Sequence, residues 1–280
     1  MAENISATIS GGRGGGIKSR FSFRSFREFT YKKTPQSDLE ISVYFPHDWN
    51  QGDKRPGILF FFGGRFSVGT RHQFARQCTY LASKGMVAAT ADYRVHTYHD
   101  TGIVECFDDA FDAMRWFCAA ADSFGIDPDR IAAGGGSAGG TLAAGVAVLS
   151  GFGEEAEATP KPNALVLYNP AFVYERSDSV VALERYAELG LTDSILKRIS
   201  MADKISDDFP PAYVWFGDRD QLLTPAKIVI KHIESLGGPV DLDIVAGADH
   251  GFYNDYEPFY SNAVRAMDGF LQSVGYINPQ

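Results

Sequence analysis

Ile131-Ala132-Ala133-Gly134-Gly135-Gly136-Ser137-Ala138-Gly139-Gly140 decides how this chain folds. A short apolar run enters the stretch, glycines and a serine turn it, and an Ala-rich segment through Ser150 leaves it. A strand that passes straight into a helix belongs to a layered arrangement of alternating strands and helices. Around Ser137 the spacing is G-x-S-x-G, Gly135 to Gly139, which removes the Cβ atoms that would collide in so sharp a turn. The serine then stands at the end of a strand, with the N–H groups and positive dipole end of the following helix beside it. A glycine-rich turn that merely packs helix on strand, or holds phosphate, is the competing reading. The strand before and the helix after favour a reactive serine.

Outward from this turn the same rhythm repeats. Apolar runs at Gly57–Phe62, Met86–Ala91, Ala164–Tyr168, Ala212–Phe216 and Val240–Val245 have strand length and little alternation, as parallel strands covered on both faces should. Between them lie helical spacings. Phe74, Cys78 and Leu81 share one face, and Ile103, Phe107, Phe111, Met114, Cys118 and Ala121 share another; Ala138–Ser150, Pro225–Leu236 and Pro258–Val274 complete the set. Leu39–Phe45 alternates as a half-buried strand, and Phe21, Phe23, Phe29 and Tyr31 mark a second edge strand. The fold class is therefore α/β, a mostly parallel twisted sheet flanked by helices on both faces. Residues 1–20, with five glycines between Gly11 and Gly16, read as a flexible arm, and 21–280 as a single domain. Within it 173–208 inserts two helices, near Val180–Leu189 and Thr192–Ile199, as a crossover or a small lid.

Composition narrows the class. The chain has 280 residues, 45% hydrophobic and 22% charged, enough to bury one large core. Its formal charge is −9, which disfavours an electrostatic grip on nucleic acid or anionic lipid. No apolar run reaches the roughly 18 residues of a membrane span. Cys78, Cys106 and Cys118 lack C-x-x-C spacing and read as small buried hydrophobes. Met1-Ala2-Glu3-Asn4 lacks a basic-then-apolar start, so a cytoplasmic location is expected, or secretion had a signal preceded Met1.

A serine hydroxyl needs a base. His250, in Ala246-Gly247-Ala248-Asp249-His250-Gly251-Phe252, follows the last predicted strand and is the choice. His47, His72 and His232 read as surface residues. His96 and His99 share a loop without further ligands at metal spacing. An imidazole in this role needs a carboxylate partner. Tyr213-Val214-Trp215-Phe216-Gly217-Asp218-Arg219-Asp220 runs an apolar strand into a turn with two acids. Asp220 is the choice; Asp218, nearer the strand end, could instead cap or brace the turn. Asp249, as the neighbour of His250, is poorly placed to reach the ring. Leu59-Phe60-Phe61-Phe62-Gly63-Gly64-Arg65-Phe66 ends a strand in two glycines. Their N–H groups, with that of Ala138, are the expected donors to a developing oxyanion.

These stretches together resemble the α/β-hydrolase superfamily, and within it the hormone-sensitive-lipase-like carboxylesterases and the carbohydrate acetyl esterases. The likeness runs from about Leu39 to the C-terminus. Phe62-Gly63-Gly64-Arg65-Phe66 stands at the family's H-G-G-G-W stretch. Asp92-Tyr93-Arg94, Asp127-Pro128-Asp129-Arg130-Ile131, Gly217-Asp218-Arg219-Asp220 and His250-Gly251-Phe252 follow in the family's order. Phe62 replaces the family's histidine and Arg65 its third glycine, and Arg65 and Phe66 are expected to touch substrate. The resemblance implies a serine carboxylesterase that works through an acyl-enzyme, with no cofactor or metal. Its substrate would be a small-molecule ester with a short acyl group, acetyl on a sugar among them; the sequence leaves the oligomeric state open, a homodimer included. The alternatives are a peptidase related to the prolyl oligopeptidases, or a degenerate hydrolase fold that binds a small ligand.

Overall fold

In the computed structural model, residues 26–153, 159–172, 184, 187–254 and 257–279 are described. Among them eight strands form one sheet: β1 (Phe26–Lys33), β2 (Asp38–Tyr44), β3 (Arg55–Phe61), β4 (Val87–Ala91), β5 (Ile126–Gly136), β6 (Ala164–Tyr168), β7 (Ala212–Gly217) and β8 (Val240–Val245). The order across the sheet is β1-β2-β4-β3-β5-β6-β7-β8. β1 and β2 are antiparallel, and β2 meets β4 antiparallel. From β4 through β3, β5, β6 and β7 to β8 every pairing is parallel.

The continuous apolar runs are where the sheet is covered on both faces. Every residue of β4, β6 and β7 is buried. β8 departs from the expectation, because its residues alternate between half-buried and exposed. It is the edge strand beyond β7, so one face is wet. The edge strand at the other end begins at Phe26 within the described residues, which leaves Phe21 and Phe23, like the arm 1–20, outside them.

Helices α1 (Ala75–Ser83), α2 (Ile103–Ala119), α3 (Ala138–Val148), α4 (Asp193–Ile199), α5 (Leu223–Ser235) and α6 (Phe259–Ser273) fall within a residue or two of the helical spacings. All residues of α3 except Val148 are buried. Its alanines and glycines let neighbours come close, and a Cβ on Gly145 would lie 2.5 Å from the Phe107 ring on α2. Of the inserted segment, the second helix is α4, its first turn capped by the Thr192 side chain. Residues 173–183 and 185–186, which hold most of the first, lie outside the described residues. The described remainder is seated on the body: the Leu189 carbonyl accepts the N–H of Ile103 at 3.0 Å, and Ile199 and Met201 are buried.

A buried ion cluster ties the antiparallel edge to the helical layer. Lys32 on β1 meets Asp109 of α2 at 2.8 Å, and Arg94 grips the same carboxylate through Nε and Nη2, both at 2.8 Å. Asp109 is fully buried, so its charge is tolerable only because both lone-pair edges are paired. The three cysteines are free thiols, two buried and Cys118 half-buried. Among the described residues no helix is long and apolar enough to cross a membrane.

Candidate active site

Register places the chemistry. Phe61 pairs with Gly135, Gly136 with Tyr168, Tyr168 with Trp215, and Gly217 with Val245. The loops after β3, β5, β6, β7 and β8 therefore leave the sheet at one edge, side by side. Residues far apart in sequence are brought together there.

Ser137 links β5 to α3 with φ 52° and ψ −119°. A side chain held at positive φ is strained and persists only where the surroundings over-determine it. The surroundings do so here: Ser137 N–H donates to the Tyr168 carbonyl at 2.8 Å, and the Ser137 carbonyl accepts from Thr141 N–H at 3.0 Å. A Cβ on Gly139 would lie 2.0 Å from the Phe61 carbonyl oxygen, so no other residue fits this turn.

His250 meets Ser137 Oγ through Nε2 at 2.8 Å. Its Nδ1 lies 2.7 Å from Asp220 Oδ2. The Asp220 side chain is fully buried and that of His250 is 38% exposed, so the carboxylate is shielded while the imidazole opens toward solvent. Asp220 Oδ1 accepts Leu222 N–H at 2.9 Å. Asp218 turns elsewhere, its Oδ1 accepting Gly247 N–H at 2.8 Å. It ties the turn after β7 to the loop after β8 that carries His250, rather than bracing its own turn. His47, His72 and His232 are exposed. His96 and His99 turn their Nδ1 atoms to the Thr101 and Val95 carbonyls. Among the described residues no group of three or more His, Cys, Asp and Glu is arranged to hold a metal.

The loop after β3 corrects two expectations. Gly63 N–H is taken by the side chain of Gln73, which accepts it through Oε1 at 2.6 Å. It is therefore not a free oxyanion donor in this arrangement. Gly64 N–H has no partner among the described residues, and Ala138 N–H heads α3, where no intrahelical acceptor exists. Gly64 has φ +145°, and a Cβ there would fall 1.8 Å from the Val68 carbonyl oxygen. Phe66, expected against substrate, is 5% exposed and packs in the core beside Phe107, with ring centroids 6.4 Å apart. Arg65 is exposed on the same loop. Phe62, in the place of the family's histidine, stacks on Tyr93 at 4.1 Å, and Tyr93 donates its hydroxyl to the Phe62 carbonyl at 2.7 Å.

Asn169, at the end of β6, was missed from the sequence. It is fully buried at φ 40°. With its amide nitrogen toward the acid it would donate to Asp220 Oδ2 at 3.3 Å. Turned over, it donates to the Tyr168 carbonyl and accepts Gly251 N–H, both at 3.0 Å. The second orientation matches every donor to an acceptor and is the favoured one. A signal existed: a polar residue directly after an apolar strand, at the edge that also holds Ser137 and Asp218.

Comparison with known proteins bears on the fold and the class of enzyme. A family model described as the alpha/beta hydrolase fold matches residues 58–254. The chain is 24% identical to an ethyl acetate hydrolase of Pseudomonas putida, over 76% of this chain and 71% of that protein. It is 26% identical to the carboxylesterase NlhH of Mycobacterium tuberculosis, over 78% and 72%. Among solved structures it resembles the propionate-bound esterase Est2 of Thermogutta terrifontis, with TM-score 0.83 and 32% identity over 92% of this chain and 97% of that one. A butyrate-bound form of Est2 matches with the same score.

Proposed function

The chain belongs to the alpha/beta hydrolase fold family and is a carboxylesterase, and from that premise we propose that Ser137, His250 and Asp220 carry the reaction on short-chain acyl esters. The observation that carries this reading is the unbroken path from Ser137 Oγ through the imidazole to the buried carboxylate, 2.8 Å and then 2.7 Å.

The chemistry follows from that path. Ser137 Oγ attacks the ester carbonyl carbon as its proton passes to His250 Nε2. Asp220 holds Nδ1 as a donor, which fixes the tautomer and stabilises the imidazolium that forms. Gly64 and Ala138 offer N–H groups to the oxygen that becomes negative. His250 returns the proton to the departing alcohol, leaving the acyl group on Ser137. Water, deprotonated by the same imidazole, then releases the carboxylic acid and restores the serine. Arg65 supplies an exposed cation on the loop after β3.

A short acyl group is supported by the relatives: one is an ethyl acetate hydrolase, and Est2 is known with propionate and with butyrate bound. The test is hydrolysis of p-nitrophenyl acetate, butyrate and octanoate, of an acetylated sugar, and of aminoacyl p-nitroanilides. The expected result is turnover of acetate and butyrate well above octanoate and no cleavage of the anilides. Preference for octanoate, or anilide cleavage, would overturn the substrate class. Loss of all turnover in Ser137→Ala supports the nucleophile, and surviving turnover rejects it.

A further inference from the structure

Gln73 lies on the helical turn Arg71–Phe74, between the strand end at Phe61 and helix α1. Its carboxamide faces Gly63 at both ends. Oε1 accepts Gly63 N–H at 2.6 Å, and Nε2 lies 3.4 Å from the Gly63 carbonyl oxygen. The same Oε1 accepts the hydroxyl of Tyr253 at 3.3 Å. The Gln73 main-chain carbonyl accepts Asn254 Nδ2 at 3.2 Å, and Asn254 Oδ1 accepts Gln77 Nε2 at 2.6 Å. One short segment is thus bonded both to the loop after β3 and to the residues just beyond His250.

Tyr253 makes this bridge rigid. Its ring is buried and stacks on Tyr168 at 5.0 Å and Phe74 at 5.8 Å. Its hydroxyl fills the space that Gly136 and Gly63 leave, where a Cβ would lie 1.9 Å and 3.0 Å from that oxygen. Ser137 Cβ stands 3.3 Å from the same Gly63 position. The bridge therefore runs directly behind the nucleophile.

We propose that Gln73 is a positioning residue that aims the Gly64 N–H and keeps the oxyanion loop in register with the loop of His250. The peptide joining Gly63 to Gly64 is planar and trans, so its C=O and N–H point in opposite directions. Holding the Gly63 carbonyl toward Gln73 turns the Gly64 N–H the other way, and polarises it. Engaging Gly63 N–H on the same amide stops the loop from rotating to present that group instead. The oxyanion is then met by two donors, Gly64 and Ala138, whose aim is set by a side chain that never touches substrate. This rests on the roles given above to Ser137, Gly64 and Ala138.

The test is steady-state kinetics on p-nitrophenyl butyrate with Gln73→Met, Tyr253→Phe and the double variant, with Ser137→Ala as control. Misaiming one donor is expected to lower kcat about thirtyfold in Gln73→Met, with KM within about twofold. The pH dependence of kcat/KM should not move, because His250 and Asp220 are untouched. Tyr253→Phe alone should lower kcat about threefold, and the double variant should match Gln73→Met, since the hydroxyl acts through Gln73. An unchanged kcat in Gln73→Met with a lowered melting temperature would make Gln73 a mere prop and overturn the proposal. So would strictly additive losses. Should Gln73→Met fail to fold, Tyr253→Phe carries the test alone, and an unchanged kcat there rejects the coupling. An active Ser137→Ala would instead sink the underlying reading, so the two failures are distinguishable.

Discussion

Asp218 and Asp220, two positions apart in one turn after β7, turn to different partners. Asp220 Oδ2 lies 2.7 Å from His250 Nδ1, while Asp218 Oδ1 accepts Gly247 N–H at 2.8 Å and holds the loop on which His250 sits. Asp220→Asn is expected to lower kcat by about 10³ to 10⁴, because an amide there stabilises the wrong imidazole tautomer. Asp218→Ala should leave kcat within a few-fold and cost about 1 kcal/mol of stability, the worth of one backbone hydrogen bond. Kinetics and denaturant unfolding on both variants check the division, and the reverse ranking would exchange the two roles.

Gly64→Ala should damage catalysis more than folding. Its backbone angle and the Val68 carbonyl oxygen 1.8 Å from the required Cβ force the loop to move, and the Gly64 N–H moves with it. The expected loss is about 100-fold in kcat, in line with removal of one oxyanion donor. Single-turnover kinetics should place the loss in acylation.

Asn169→Gly removes the amide without a conformational penalty at φ 40°. Gly251 N–H then loses its acceptor, and the residue after His250 is no longer tied to β6. A fall in kcat of about tenfold to a hundredfold is expected, with a stability loss of about 1–3 kcal/mol for the unpaired group. Kinetics and thermal unfolding on the purified variant measure both.

Lys32 carries a prediction about pH. Burial alone would lower its pKa, but hydrogen bonds to Asp109 and Asp112 outweigh it and hold the ammonium above its ordinary range. A raised folded-state value means the stabilisation is present in full below the unfolded value near 10.5 and is lost as pH climbs through the folded one. Lys32→Met should cost about 3 kcal/mol near neutral pH, since it strips one partner from a buried carboxylate. The gap between wild type and variant should narrow above pH 10.5. Urea unfolding across pH reads this out.

Much of this was legible in the residues. The apolar runs from Ala164–Tyr168 and Ala212–Phe216 gave strands because nothing but a doubly covered sheet accommodates them. Ser137, Asp220 and His250 stood out as candidates because each follows such a run, and parallel strands that end at one edge bring His250 to 2.8 Å from Ser137 and 2.7 Å from Asp220. The fate of Gly63 N–H was not legible. It depends on a side chain ten positions away, whose hydroxyl partner Tyr253 lies 180 positions further along. Phe66 misled for a related reason: its φ of +61° turns the ring inward, and positive φ at a phenylalanine has no sequence signal. The edge strand β8 read as buried although Asp241 and Asp243 alternate with Val240 and Leu242; the sheet order shows that it is the outermost strand and that the aspartates are exposed.

The measurement that bears most directly on the account is stoichiometric modification by an organophosphate ester such as paraoxon, followed by peptide mass mapping. The account predicts one phosphoryl group per chain, carried on Ser137, with activity lost in proportion to label and neither label nor activity in Ser137→Ala. Full activity in a fully labelled chain, or label and turnover that persist without the Ser137 hydroxyl, would contradict it.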